Sequence, residues 1–382
     1  MLKHWRNRAA ALGLSLCLVG ALCPVARAAG PEVSAQSAVV LTADTGTVLF
    51  EKDGHTPRPV ASTTKIMTAL LALEAAQERG DPLVDITQEM VAVEGSSMGL
   101  QAGDSISLTG LAAGMLLASG NDAANAAALY LDGSLESFAA RMNQRAAALG
   151  MEDTHFVTPS GLDGEDAQGM AHLSTAYDMA LLARAALEDQ AFRQLCSSPS
   201  LAVEFAEPVK RVTYTNHNKL LTQYQGCVGV KTGFTKEAGR CLVSAAERDG
   251  ALLIAVTLNA PNDWQDHTAL LDYGFSQVEP YQLAGGDVRL TVPVVGSPVE
   301  VVSLRGSNGG EVTLPLGQGA QVERVVHAPK FLYAPVEAGE QVGEICWYLE
   351  GQLLGSAPLI AAGAAPDLHN DVLVVAGVLG QQ

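Results

Sequence analysis

The sequence has little of what marks disulfide-rich, zinc-binding or nucleic-acid-binding proteins. It has six cysteines among 382 residues and no C-x-x-C pair, which disfavours both a disulfide framework and a zinc site. Lysine and arginine number 23 against 41 acidic residues, and no basic patch with interleaved aromatic residues occurs. Such an acidic surface repels nucleic acid. We therefore expect no metal, no cofactor and no nucleic-acid partner.

Long hydrophobic runs are also missing, and the run nearest the N-terminus is short for a membrane span. Three basic residues precede this run, Ala9–Val19, and Ala26-Arg27-Ala28 follows with small residues suited to cleavage. The pattern predicts a cleaved secretory signal at residues 1–28. We expect a protein exported across the cytoplasmic membrane, with a formal charge of −22 after cleavage. The four cysteines beyond the signal are expected to be buried free thiols.

Strand patterns occur on both sides of a helical region. Val39–Leu41 and Val48–Phe50 flank Asp44-Thr45-Gly46, which predicts a β-hairpin. Ala-rich helical patterns fill much of residues 108–149 and 175–188, and strand patterns return between residues 209 and 258, before an amphipathic helix at 263–275. This order predicts an α+β domain at residues 29–278, in which an antiparallel sheet packs against a helical cluster.

The composition changes after Pro280 to short strand patterns separated by Gly and Pro turns. Over about 85 residues they predict a small all-β C-terminal domain at 279–362, whose use in spacing or binding is inferred from architecture alone. Residues 363–382 form a tail in which the apolar run Val372–Leu379 is too short to cross a bilayer. A peripheral membrane contact through this tail stays open, although no Lys or Arg follows Lys330 to attract it to anionic headgroups.

The stretch Ala61-Ser62-Thr63-Thr64-Lys65 carries the densest chemical signal. Two prolines precede it, and the apolar residues of Ile66–Leu73 repeat at helical spacing. This predicts Ser62 at the start of a buried helix, with Lys65 one turn along the same face. A hydroxyl, an amine and the positive end of a helix dipole would then lie together. Because S-x-x-K alone is a weak motif, a simple serine N-cap is the alternative.

Two further motifs strengthen the catalytic interpretation. Ser119-Gly120-Asn121 interrupts a hydrophobic pair of helices, and Lys231-Thr232-Gly233 lies in a predicted strand before Phe234. Taken singly, they would be a helix cap and a solvated edge strand. S-x-x-K, S-x-N and K-T-G each occur once in the chain, in this order and in the local structure that each role requires. Ser62 needs a base, and Lys65 can serve only if neutral, as burial and a nearby Lys231 would make it.

This set of motifs resembles that of the penicillin-recognising serine acyltransferases, the penicillin-binding proteins and active-site serine β-lactamases. More narrowly, residues 37 to about 360 resemble the low-molecular-mass D-alanyl-D-alanine carboxypeptidases. The resemblance implies a β-lactamase/transpeptidase-like fold with Ser62 as nucleophile, Lys65 as its base and Ser119 as a proton relay to the leaving amine.

The same resemblance implies the substrate contacts. Asn121 would hold a substrate amide, and Lys231 and Thr232 would meet the terminal carboxylate of the peptide. The backbone amides of Ser62 and Phe234, the second on the strand edge, would form the oxyanion hole, and Gly233 and Phe234 would belong to the substrate-binding segment. The implied reaction removes the terminal D-alanine from peptidoglycan stem pentapeptides through an acyl-enzyme on Ser62. A β-lactam would enter the same path and stall at the ester.

Three other functions remain to be weighed. A class A β-lactamase obtains deacylation from a glutamate-held water; its glutamate precedes an asparagine by four residues, and no Glu here has that spacing. A D,D-endopeptidase would use the same motifs and is not excluded. A wall-binding module with a vestigial site is disfavoured because all the motif residues are intact. A G-x-S-x-G match at residues 95–99 is rejected because turn residues, not a helix, follow it.

Overall fold

A computed structural model describes residues 30–368. The predicted signal at residues 1–28 and the apolar run at 372–379 lie outside this range. None of the helices within it combines the length and apolarity that crossing a bilayer requires. The described chain forms an α+β domain followed by an all-β domain, as the sequence predicts.

Within the described residues, the first domain contains a five-stranded antiparallel sheet, two two-stranded sheets and a cluster of helices. Its strands are β1 Ser37–Thr42, β2 Val48–Lys52, β3 Leu83–Asp85, β4 Ser105–Ser107, β5 Ser200–Phe205, β6 Lys210–Thr215, β7 Cys227–Thr235, β8 Gly239–Arg248 and β9 Ala251–Leu258. Its helices are α1 Lys65–Arg79, α2 Leu108–Leu117, α3 Asn121–Asp132, α4 Leu135–Ala148, α5 Ala176–Glu188, α6 Gln190–Ser197, α7 Leu220–Gln223 and α8 Asp263–Ser276.

The main sheet has the order β2-β1-β9-β8-β7 and divides the domain's core into two layers. Alternate side chains of each strand point to opposite faces. Val39 and Leu41 therefore join the helical cluster on one face. Val40 packs with Leu270 and Leu271 of α8 on the other. The strand β7, which carries the K-T-G motif, lies at the edge of this sheet.

Helix α1 lies at the centre of the helical cluster, and eleven of its residues are buried, among them Lys65. The helix begins at Lys65 rather than at Ser62. Ser62 lies instead in a 3₁₀ turn, Ala61–Thr64, directly before it. Such turns are frequent at helix N-termini, because tighter hydrogen bonds satisfy the first amides. Ser62 is therefore placed by a turn and not by the first turn of an α-helix.

The second domain is built from β10 Val278–Gln282, β11 Arg289–Val295, β12 Val301–Gly306, β13 Glu311–Pro315, β14 Glu323–His327, β15 Leu332–Tyr333, β16 Gln341–Leu349 and β17 Gln352–Ala361. A six-stranded sheet of order β14-β16-β17-β12-β11-β15 surrounds a core centred on Trp347. The β1–β2 hairpin turn joins the two domains: Asp44 accepts from the Thr313 amide at 2.6 Å, and the Thr45 carbonyl accepts from Gln352 Nε2 at 2.7 Å.

The structure differs from the sequence prediction in two further respects. The sequence did not indicate α6 or β5, whose short lengths give little periodicity to detect. The cysteines are free thiols, with Cys196, Cys241 and Cys346 buried, but Cys227 is only partly buried.

Two buried histidines should make the fold sensitive to mild acid. Burial lowers the pKa of His172 to about 4 and that of His267 to about 3, against about 6.5 in the unfolded chain. The unfolded state therefore binds more protons as the pH falls from 6.5 to 4, and stability is lost in that window. The free energy of unfolding should fall by up to about 1.4 kcal/mol per pH unit for each histidine.

Urea unfolding at a series of pH values measures this slope, and His267→Gln should reduce it. The raised pKa of Asp178 acts in the opposite direction and is common to both proteins. An equal slope in the variant and the parent would contradict the assignment to His267.

Candidate active site

Strand β7 and the Ser62 turn approach closely where the nucleophile is predicted. A side-chain carbon at Gly233 would lie 3.1 Å from the amides of Ser62 and Thr63 and from the Val60 carbonyl. Glycine permits this approach because it has no side chain to exclude the turn. Ala61, just before Ser62, has φ +48°, in the left-handed region that costs a non-glycine residue about 1–2 kcal/mol. Packing thus holds the turn in a strained shape.

The Lys65 amine lies between three oxygen atoms. Its Nζ is 2.8 Å from Ser62 Oγ, 2.7 Å from Asn121 Oδ1 and 2.7 Å from the Ser160 carbonyl oxygen. Asn121 Oδ1 and the carbonyl can only accept, so they take two N–H bonds of the amine. In the neutral amine, the lone pair is then left facing the Ser62 hydroxyl. This arrangement would allow the amine to accept a proton from the hydroxyl, as the sequence predicts.

Burial favours the neutral form of the Lys65 amine. Its pKa is lowered well below the usual value, first by burial and then by the charge of Lys231, while Asp122 acts in the opposite direction. Burial also lowers the pKa of Lys231 to about 7. The Lys231 ammonium donates to the Thr232 carbonyl at 2.8 Å. Burial therefore disfavours the charged form of both lysines, and the charge of Lys231 disfavours that of Lys65 further.

Ser119 and Asn121 come from the junction between α2 and α3. Ser119 has φ +58° and is buried at the end of the α2 segment. Asn121 begins α3, and its Nδ2 donates to the Glu94 carbonyl at 2.6 Å. Both polar atoms of the Asn121 amide thus have protein partners: Nδ2 donates to the Glu94 carbonyl, and Oδ1 accepts from Lys65 Nζ. The S-x-N junction therefore supplies one of the hydrogen bonds that orient the Lys65 amine.

Asp122 fastens a loop that forms one wall of the site. Its carboxylate accepts from Ser97 Oγ at 2.6 Å and from the amides of Met98, Gly99 and Leu100 at 2.9 to 3.1 Å. Hydrogen bonds from several donors stabilise a buried carboxylate. The G-x-S-x-G segment belongs to this loop. It has no preceding strand or following helix, so its rejection as a nucleophile elbow agrees with the structure.

An open cleft of about 560 Å³ runs along these elements. Of the predicted site residues, Ser62, Ser119, Thr232, Gly233 and Phe234 line it. Lys65, Asn121 and Lys231 lie buried behind it, and Lys65 is hydrogen bonded to Ser62. The structure therefore brings the three motifs together.

The sequence did not indicate the rest of the lining, which comprises Ser96, Asn216, His217, Lys219, Arg240, Asp263 and Trp264. Most of these residues lie on loops or element ends, where no periodicity or spacing marks them. His217 lies between β6 and α7. In residues 30–368, no group of His, Cys, Asp and Glu side chains could hold a metal ion.

Comparisons with known proteins identify the family. A family model described as D-alanyl-D-alanine carboxypeptidase matches residues 25–262, which is more than half of the chain. The chain belongs to the D-alanyl-D-alanine carboxypeptidase family. A second model, the C-terminal domain of penicillin-binding protein 5, matches residues 275–366.

Individual relatives cover most of the chain of this family member. The D-alanyl-D-alanine carboxypeptidase DacF of Bacillus subtilis is 30% identical over 86% of this chain and 85% of its own. DacB2 of Mycobacterium tuberculosis is 35% identical over 64% of this chain and 84% of its own. The structure of penicillin-binding protein 5 from Haemophilus influenzae superposes with a TM-score of 0.67 at 26% identity, over 89% of this chain and 99% of that one. The predicted fold class and family are confirmed.

Asp122→Asn should loosen the wall of the carboxypeptidase cleft. The Ala123 amide also donates to Asp122 Oδ1, at 2.9 Å, so the carboxylate accepts five hydrogen bonds in all. An asparagine offers one acceptor oxygen and turns an NH₂ group toward backbone donors, so at least two of the five hydrogen bonds are lost. We expect a loss of about 2–4 kcal/mol in the free energy of unfolding, measured by urea denaturation. Asp132→Asn, which alters a partly exposed pair with Arg141, is the control and should cost less than about 1 kcal/mol. Equal losses would contradict the role given to Asp122.

Proposed function

We propose that this chain is a serine-type D-Ala-D-Ala carboxypeptidase in which Ser62 is the nucleophile and Lys65 its base. The observation that carries the proposal is the contact of 2.8 Å between Ser62 Oγ and a buried, pKa-lowered Lys65 amine. The proposed substrate is a peptidoglycan stem pentapeptide, which ends in the D-alanyl-D-alanine that the names of the relatives contain. The expected product is the peptide shortened by one D-alanine.

The first step transfers the acyl group to the enzyme. The Ser62 hydroxyl gives its proton to neutral Lys65 as its oxygen bonds to the carbonyl carbon between the two D-alanines. The resulting oxyanion accepts hydrogen bonds from the backbone amides of Ser62 and Phe234, each contributing about 3 kcal/mol to lowering the barrier. The carbon–nitrogen bond then breaks, and the proton passes through Ser119 to the leaving amine. Water hydrolyses the ester, and a β-lactam would acylate Ser62 in the same way.

The terminal carboxylate is assigned to the K-T-G segment. Thr232 lines the cleft and can donate its hydroxyl, whereas Lys231 is buried and supplies positive charge from behind the strand. The pKa of His217 is lowered, first by burial and then by the charge of the nearby Lys231. Asn121 is assigned a hydrogen bond to an amide group of the substrate. To make it, Asn121 Nδ2 would give up its present hydrogen bond to the Glu94 carbonyl.

A D,D-endopeptidase is the second candidate, and the length of the cleft favours it. Beyond Thr232 the cleft continues into a groove that shares Lys219, Arg240 and Trp264. A leaving group larger than D-alanine could occupy that groove. Cleavage of a purified cross-linked muropeptide dimer, compared with release of D-alanine from a pentapeptide, distinguishes the two activities.

The location of the enzyme follows from the sequence. We infer that residues 1–28 direct export and that the enzyme acts outside the cytoplasmic membrane, on the cell wall. The inferred organisation is a catalytic domain at 29–278, a β domain at 279–362 and a tail at 363–382. A peripheral membrane contact of the tail would be detected by sedimentation with vesicles of bacterial lipids and its loss on truncation after residue 362.

Ser62→Ala should abolish the chemistry and preserve the fold. Because alanine removes only a hydroxyl from a partly exposed turn, we expect an unchanged thermal midpoint, no release of D-alanine from a synthetic pentapeptide and no mass adduct with benzylpenicillin. Intact-mass spectrometry and a D-alanine assay measure these. Release of D-alanine at the parental rate would disprove the nucleophile assignment. Rapid turnover of the drug by the parent would instead indicate a β-lactamase.

The two lysines should give opposite limbs in the pH profile of kcat/KM. Acylation needs neutral Lys65, so the rate rises as the pH increases through its lowered pKa. Carboxylate binding needs charged Lys231, whose pKa is about 7, so affinity falls as the pH rises through that value. A pentapeptide ending in an amide should lose much of the alkaline limb. If the pentapeptide with a free carboxylate and the pentapeptide amide gave the same alkaline limb in kcat/KM, the role of Lys231 would be contradicted.

A further inference from the structure

His172 is a buried side chain that joins two segments of the active site. It is 4% exposed and lies on the segment before α5. Its Nε2 is 2.8 Å from Thr64 Oγ1, on the turn that carries Ser62. Its Nδ1 accepts from the amides of Val157 at 2.9 Å and Thr158 at 3.2 Å. None of the three sequence motifs contains His172.

These contacts determine the tautomer. A backbone N–H can only donate, so Nδ1 must carry a lone pair, and in the neutral ring the proton lies on Nε2. His172 therefore donates to Thr64 Oγ1 and accepts from the loop. Burial, with smaller contributions from the charges of His155 and Lys65, lowers the pKa of His172 to about 4. The ring is neutral at physiological pH, and both nitrogens are used.

The loop that His172 holds carries the second acceptor of the base. This loop, residues 157–162, presents the Ser160 carbonyl to Lys65 Nζ at 2.7 Å. Thr68 of α1 donates to the neighbouring Pro159 carbonyl at 2.6 Å. Gly161 has φ +80°, and a side-chain carbon there would lie 1.9 Å from the Ala61 carbonyl oxygen. The loop is thus packed directly against the Ser62 turn.

We propose that His172 is a positioning residue for acylation, which fixes the Ser160 carbonyl and through it aims the Lys65 amine at Ser62. The proposal rests on the proposed function, in which Lys65 is the base. Without the His172 link, the loop and the turn can shift relative to each other, and the amine loses the acceptor that directs one of its N–H bonds. Because a misplacement of about 1 Å can slow a reaction about a hundredfold, the effect should appear in the rate constant of acylation and not in binding.

Three substitutions test the link. Thr64→Val and His172→Asn break it from opposite ends, the first keeping the shape of the side chain and the second keeping an acceptor near the position of Nδ1. His172→Phe removes both functions of the ring. The matched control is His267→Gln, which alters another buried histidine that bonds Ser244 and Thr257 on β8 and β9 and has no hydrogen bond to the Ser62 turn or to the 157–162 loop. It reports on the general effect of losing a buried histidine.

The measurement is saturation kinetics of benzylpenicillin acylation, followed by intact mass, with rates expressed per site that can be acylated. A merely structural role would reduce the fraction of competent sites and leave the rate constant of each unchanged. We expect Thr64→Val and His172→Asn each to slow acylation about tenfold and the double variant to be no slower than the worse single, since both break one link. His172→Phe should be slower still, and His267→Gln should stay within about twofold.

Two results would overturn the proposal while leaving the proposed function intact. The first is that Thr64→Val acylates with the same rate constant per competent site as the parent protein. This result is sufficient by itself if the His172 variants do not fold. The other is a double variant whose slowing is the product of the two singles, since the residues would then act independently. Absence of any Ser62 adduct in the parent protein would instead refute the proposed function itself.

Discussion

The structure of this site depends on one buried amine. Lys65 is fully buried, and an ammonium group removed from water costs several kcal/mol unless it is paired. No carboxylate accepts a hydrogen bond from its Nζ in residues 30–368; the partners are a hydroxyl, an amide oxygen and a carbonyl oxygen. These neutral acceptors satisfy its donors without compensating a full charge. The fold therefore favours the neutral amine, which is the form that can accept a proton from serine.

Holding that amine requires the surrounding backbone to take unfavourable shapes. Ala61 and Ser119 both have positive φ, at a cost of about 1–3 kcal/mol each. The stabilising contacts lie one residue or one loop away. Asp122 accepts four hydrogen bonds from the cleft wall beside Ser119, and the loop at 157–162 packs on the Ala61 carbonyl. Backbone strain beside Ser62 and at Ser119 is thus offset by ordinary hydrogen bonds and packing next to them.

The elements that could be predicted from the sequence are those marked by a local pattern of residues. The hairpin at the start of the chain, the helices with clear periodicity, the β domain and the three motifs could all be read from residue type and spacing. Residue type and spacing could not predict groups that contribute to the site through their backbone atoms. The Ser160 carbonyl is an acceptor that any residue at that position would supply, so no residue type marks it. His172 lies 107 residues beyond Lys65 in the sequence, and only the fold brings it beneath the loop. The start of α1 was misplaced for a similar reason, because a 3₁₀ turn and the first turn of an α-helix show the same apolar spacing.

The position of β7 links the fold to the proposed substrate. An edge strand exposes unpaired amide and carbonyl groups that can pair with another extended chain. Here β7 pairs with β8 on one side only, and its other side opens toward the cleft next to Ser62. Phe234, 65% exposed, stands where such a peptide would lie. A peptide bound along this edge would bring its scissile carbonyl to the Ser62 turn because Gly233 allows strand and turn to touch. The open edge, which would favour aggregation in a structural sheet, is therefore the feature that would place an extended peptide beside the Lys65 and Ser62 side chains.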